Sequence, residues 1–367
     1  MADIVTGIVR KHDKDVLLFD PLNSFDPEAA IRVPAPLARE CGLVDGAEVI
    51  GPVRRHGGMP ELAAAQFVCG LTPDSFKKRT PYKQLDHVPA AGRYVLDLSD
   101  EPGMRMIDLL APLGRGGQCL IVSPPRTGRL ILFEQIARAI RKEEPETQIV
   151  SLLMDEKPSE ASFLRRTAKA RIFACYADQS AQEHLTIIDL ALSYTRLALE
   201  CGRDIVLMAD SLNQMAHVSQ VHESEQHKAD FRNGFPALEI PECFFGVARN
   251  LESRGSITVI TALGMNPDST EDARLFDAFH ESGHSLITLG DGPSPIYPAI
   301  DVAKTTSRRD ERFYTPDEYA AVLKLRKELA SRQPEASIDW LLDLFKRYPT
   351  NARLLKYGVL GSASEKR

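Results

Sequence analysis

QCLIVSPPRTGRLILFEQIARAI, from Gln118 to Ile140, is the stretch whose reading decides the fold. An apolar run ends at Ser123, a turn rich in Pro and Gly follows, and Ile131 to Ile140 has a helical texture. A strand, a tight turn and a helix in that order is where a phosphate-binding loop belongs. The pattern that makes such a loop work, G-x-x-x-x-G-K-[ST], is met here only by Gly128. Ser123 stands for the first glycine, Arg129 for the lysine and Leu130 for the hydroxyl that would hold magnesium. Pro124, Pro125, Arg126 and Thr127 fill the loop, and its bland reading is a strand-to-helix turn stiffened by proline.

Outward from this stretch the texture from residue 101 onward alternates strand and helix, which predicts a parallel α/β sheet. QCLIVS, QIVSLLMD, RIFACYA, DIVLMAD, SITVITAL and HSLITLG are the strand candidates, with helices such as LTIIDLALSYTRLALE between them. Residues 315–358 read as a helical tail, opened by a capped start at Thr315-Pro316-Asp317-Glu318. The first 72 residues are short strands (TGIVRK, DVLLFD, AIRV, AEVIGPVRR, ELAAAQFV) with one helical turn, PAPLARECGLVDG. That pattern predicts a five-stranded barrel of the oligonucleotide-binding, cold-shock-like type. Residues 73–100 read as a linker, leaving 101–367 for the α/β domain and its tail.

Composition narrows the function classes. The 367 residues are 43% hydrophobic with a formal net charge of -6, so no global basic field draws nucleic acid, and any such binding needs a local patch. No apolar run approaches the ~20 residues a membrane span requires. MADIVTGIVRKHDKD lacks an apolar signal core, and six scattered cysteines form no C-x-x-C pair. Both features predict a cytoplasmic protein with reduced thiols.

Two strands end on carboxylates, at Asp155-Glu156 and at Asp210. In open α/β sheets the ligand crevice lies at the carboxyl ends of the strands. A nucleotide hydrolase needs one carboxylate there for the magnesium shell and another to orient water, roles that suit Asp210 and Glu156. Alternatively, Asp210-Ser211 caps the following helix.

LLMDEKPSEASFLRR, DIVLMADSLNQMA, ALEIPECFFGVARNLESRGSITVITAL, IYPAIDVAKTTSRRDE and the loop stretch itself together resemble the bacterial transcription terminator Rho family, ring-forming RNA translocases with a RecA-like motor. PAPLARECGLVDGAEVIGPVRR resembles that family's RNA-binding barrel, and the family's helical segment ahead of the barrel is expected to be absent. The resemblance implies that Glu156 is the water-activating glutamate and Asp210 the magnesium-site aspartate. It implies that Tyr297 stacks on adenine and that Arg308 is an arginine finger reaching a neighbour's nucleotide. It places Arg129 on the loop lysine and Leu130 on the magnesium-ligating threonine. A guanidinium is wide and planar where an ammonium is compact, and leucine supplies no oxygen. Hydrolysis is therefore expected to be slow or absent, with ATP and magnesium held weakly, although Arg126 and Arg129 remain able to bind phosphate. An active RNA-dependent ATPase, using Arg129 with magnesium on Asp210 through waters, is the alternative.

RNA-handling positions are altered as well. The pore loops correspond to about 218–236, acidic and histidine-rich, and to His280–His284; Gln214, His217 and Pro295 stand where the family carries arginines. In the barrel, Phe19 and Phe67 are the aromatics offered for base stacking. Arg10, Lys11, His12, Arg54, Arg55, His56, Lys77, Lys78 and Arg79 form three basic runs, the last near Tyr82, each also readable as a solvated face. The expected partners are single-stranded RNA and further copies in a ring, or a true Rho or the transcription machinery; no membrane is expected. HESGH (280–284) matches the zinc-protease signature H-E-x-x-H, which needs both histidines on one helical face. Gly283 inside it and the strand that follows argue against that reading, and no zinc is expected. His217, His222 and His227 recur every five residues, a spacing that keeps no single face.

Overall fold

The computed structural model describes residues 3–12, 15–19, 29–55, 59–90, 92–97, 101–225, 238–252, 254–292 and 294–359. Strands β1 (Asp3–His12), β2 (Asp15–Phe19), β3 (Ile31–Val33), β4 (Glu48–Arg54), β5 (Glu61–Leu62) and β6 (Phe67–Val68) form the amino-terminal sheet. β1 pairs with both β2 and β4, and β3 reaches β4 through β5, so five strands close into a small barrel with β6 appended to β4. The stretch ELAAAQFV is two short strands rather than one, because its middle leaves the ladder. Closure removes the exposed edges that an open sheet of this size would carry.

The larger sheet begins with β7 (His87–Val88) and continues with β8 (Gln118–Ser123), β9 (Gln148–Met154), β10 (Arg171–Cys175) and β11 (Asp204–Asp210). β12 (Arg249–Leu251), β13 (Ser256–Gly264), β14 (Ser285–Thr288) and β15 (Thr306–Ser307) complete it. Six strands run parallel in the order β10-β9-β11-β13-β8-β14, and β15 closes one side antiparallel. The central strands are buried nearly throughout, as their unbroken apolar sequences require when helices cover both faces. One face packs on helices 129–143 and 158–167 and the tail helices, the other on helices 181–200 and 212–225. The tail helix at Pro316–Ala330 opens on Thr315, whose hydroxyl accepts from the Glu318 N–H while the Glu318 carboxylate accepts from the Thr315 N–H.

The segment expected as a linker is packed structure. It holds a short helix, Pro73–Lys77, and β7, which joins the large sheet through β12. Phe76, Tyr94 and Leu96 are fully buried. Arg79 pairs with Glu200 at 2.7 Å, and the Tyr82 N–H donates to the same carboxylate at 2.7 Å. The barrel also presses directly on the α/β domain: a Cβ on Gly46, whose φ is +84°, would lie 2.5 Å from the Tyr194 backbone nitrogen. The missed signal was the aromatic content of the segment, since a free tether has no use for buried rings. No helix among the described residues is long and apolar enough to cross a membrane.

Candidate nucleotide site

The parallel sheet sets the site. β8, β9 and β11 are neighbours or near neighbours, so the residues that leave their carboxyl ends converge on one side. After Ser123 the chain turns through Pro124 and Pro125, and the Thr127 hydroxyl donates to the Pro124 carbonyl at 2.8 Å. Arg126 and Gly128 both take positive φ, +65° and +92°. The helix Arg129–Glu143 starts immediately afterwards with Gly128 as its cap and no side-chain acceptor. Its first N–H groups are thus left for a ligand rather than satisfied internally.

Arg126, Thr127, Gly128, Arg129, Leu130, Glu156, Asp210 and Tyr297 all line one cleft of about 530 Å³. Tyr297, 64% exposed, is poised over the loop: a Cβ on Gly128 would meet its hydroxyl at 2.6 Å. Gln135 donates to the Tyr297 carbonyl at 3.2 Å and holds that backbone in place. Ser123 is wholly buried, and its hydroxyl has no hydrogen-bond partner among the described residues.

Charge inside the cleft is already matched. Arg129 Nη2 lies 3.2 Å from Asp210 Oδ1, and Asp210 is 3% exposed. Burial raises the Asp210 pKa and the Arg129 guanidinium opposes that rise. Glu156 is pushed up to about 8, first by burial, then by a hydrogen bond with Glu160 and by the charge of Asp210. Glu160 moves the other way as the acceptor of that shared proton. Sequence reasoning missed Glu160, which also accepts from the Lys157 N–H at 3.2 Å. Its place at the third position of helix Pro158–Thr167 was the available signal. His184, also not singled out in the sequence, bridges Asp155 Oδ1 (3.0 Å) and the Ser180 carbonyl (2.9 Å) and is not among the residues lining the cleft.

Arg308 is not part of this cleft. Its side chain is half-exposed, donates to the Glu281 carbonyl at 3.2 Å, and lies 3.9 Å from that residue's carboxylate. HESGH does not form a helical metal site. The helix Thr270–Phe279 ends before it, His280 contacts the Phe276 carbonyl, and His284 accepts from the Gln118 N–H. Among the described residues no group of three His, Cys, Asp or Glu side chains could hold a metal ion.

The barrel's candidates are dispersed. Phe19 is 1% exposed, enclosed with Leu17 and Ala30, so it presents no face for a base; β2 is buried on both sides at its end. Phe67 is 45% exposed. Arg10 donates to Thr186 on helix 181–200 at 3.3 Å, and Arg79 is held by Glu200 and stacks on Phe76. These two cations fasten the barrel to the α/β domain, whereas Lys11, Arg54, Arg55, Lys77 and Lys78 are exposed. His56, His227 and most of the first pore loop lie outside the described residues.

The model of the ATP synthase alpha/beta family, nucleotide-binding domain, matches residues 103–307. The transcription termination factor Rho of Akkermansia muciniphila is 30% identical over 97% of this chain and 77% of its own length. That of Streptomyces lividans is 31% identical over 86% of this chain and 46% of its own length. Among solved structures, a type III secretion system ATPase of pathogenic bacteria superposes with a TM-score of 0.60 at 20% identity, over 91% of this chain and 94% of that one. The ATP synthase subunit NeqB of Nanoarchaeum equitans superposes with a TM-score of 0.57 at 23% identity, over 66% and 62%. These two likenesses are of fold. With a RecA-like sheet, a phosphate-loop turn and carboxylates at the strand ends behind it, the chain belongs to the transcription termination factor Rho family.

Proposed function

We propose that this protein is a Rho-family RNA-binding protein that holds a nucleotide phosphate without turning it over efficiently. The ion pair of Arg129 with Asp210 carries the reading. The donor set does not fit a magnesium ion: Leu130 offers no oxygen where the family has a hydroxyl, and Asp210 is already paired with Arg129. Glu156, with a pKa near 8, keeps its proton at neutral pH and so makes a poor base for water. Arg126, Arg129 and the open helix start still suit a polyphosphate, with Tyr297 placed for a stacked base.

RNA binding falls to the exposed barrel residues, with Phe67 as the stacking platform and Lys11, Arg54, Arg55, Lys77 and Lys78 as phosphate contacts. Arg308, outside its own chain's cleft, suits contact with a neighbouring subunit in a homo-oligomeric ring, or in a mixed ring with a true Rho, in the cytoplasm. The test is ATP binding and turnover with magnesium, with and without pyrimidine-rich RNA, in the wild type and in Arg129→Lys/Leu130→Thr. Binding without turnover in the wild type, and turnover in the double variant, is the expected result. RNA-stimulated turnover by the wild type overturns the reading and restores an active motor.

A further inference from the structure

At the opposite ends of the parallel strands from the nucleotide cleft, the starts of β9 and β10 meet the barrel. A second cleft of about 410 Å³ lies there, lined by Arg141, Arg165, Lys169 and Arg171 against one carboxylate, Glu48. Arg171 pairs with that carboxylate across the junction. Arg141, Arg165 and Lys169 have no carboxylate partner among the described residues; Arg141 Nη2 donates to the Lys169 carbonyl at 3.1 Å. The Nε atoms of Arg141 and Arg165 are buried with no acceptor among the described residues.

A simpler account covers part of this. Arg141 and Arg165 stand in the last turns of helices 129–143 and 158–167, where cations offset the carbonyl ends. Each helix end carries only about half a negative charge, so about two of the three unpaired cations remain uncompensated. Helix ends also supply nothing to the two orphaned Nε–H groups, and a buried donor without an acceptor is costly. Converging planar donors with a nearby ammonium match the oxygens of a phosphoryl group.

We propose that this cleft binds a small phosphate-bearing anion through Arg141, Arg165 and Lys169, at the seam between barrel and α/β domain. The site is separate from the nucleotide cleft. Helix 129–143 links them, beginning at Arg129 in one and carrying Arg141 into the other.

Calorimetric titration of the full chain tests it, with inorganic pyrophosphate, a nucleoside monophosphate and a short single-stranded RNA as separate probes. Arg141→Gln/Arg165→Gln should raise the Kd for pyrophosphate or for the monophosphate roughly ten-fold or more. Lys169→Gln should raise it several-fold, and both effects should persist when Arg126→Gln is added to weaken phosphate binding in the nucleotide cleft. A response confined to pyrophosphate identifies an inorganic ligand, and one that includes the monophosphate identifies a phosphate monoester; both support the site. Absence of binding, small-anion affinities unmoved by the cleft variants, or variants that weaken only RNA overturn it. Should the double variant fail to fold, Lys169→Gln, on an exposed side chain, decides alone.

Discussion

The α/β cleft and the barrel surface were read from the same kind of clue, charged and aromatic residues in short motifs, yet the structure treats them differently. In the cleft, loop residues, two strand-end carboxylates and a distant tyrosine come together in one place. On the barrel, residues expected to share a face separate: Phe19 is sealed inside, Arg10 and Arg79 turn to the other domain, and the lysines stay in solvent. Parallel strands all point the same way, so their carboxyl ends gather whatever residues follow them. In a barrel, a side chain's destination depends on register and on what packs against the outside, and neither is written locally.

The sharpest break in that contrast is Phe19→Ala. Losing a fully buried ring should cost about 3–5 kcal/mol in urea denaturation, whereas a solvent-facing aromatic would cost almost nothing. Arg129→Leu comes next. It leaves Asp210 buried and unpaired and should cost about 3 kcal/mol by the same measurement; a loss below 0.5, by the rough scale of exposed pairs, would mean the ion pair is incidental. Phe67→Ala should leave stability nearly unchanged while weakening single-stranded RNA by roughly 1–3 kcal/mol in a filter-binding titration. Equal RNA affinity for that variant would remove the barrel's stacking platform. Gly128→Ala forces a side chain into left-handed backbone against the Tyr297 hydroxyl, and should cost about 1–2 kcal/mol and disturb nucleotide binding.

The smallest effect is in pH. Glu156 is raised from 4.5 to about 8, so the folded state favours its protonated form. Its contribution is fully present below about pH 4.5 and is lost as pH rises towards 8. Partial exposure and the opposing shift of Glu160 limit the loss to about 1 kcal/mol. Glu156→Gln, which keeps a donor for Glu160, should flatten that slope between pH 5 and 8; an unchanged slope would assign the proton elsewhere.

The order of strands and helices from 101 onward was legible because buried parallel strands are continuous apolar runs and their turns carry proline and glycine. The capped start at Thr315 was legible for the same local reason, and so were the loop and the carboxylates Glu156 and Asp210 as positions following strands, whereas Tyr297 came only from the family resemblance and Glu160 was missed. Packing of 73–97 onto the sheet was not, because β7 pairs with a strand more than 160 residues away. By itself the sequence determined the α/β domain, the barrel's strands and the loss of the loop lysine and hydroxyl. Only the tertiary structure decided that Arg129 would neutralise Asp210, that Phe19 would be enclosed, and that three cations would meet unpaired at the barrel seam. Those outcomes depend on which distant side chains meet in low dielectric, and no local pattern encodes that meeting.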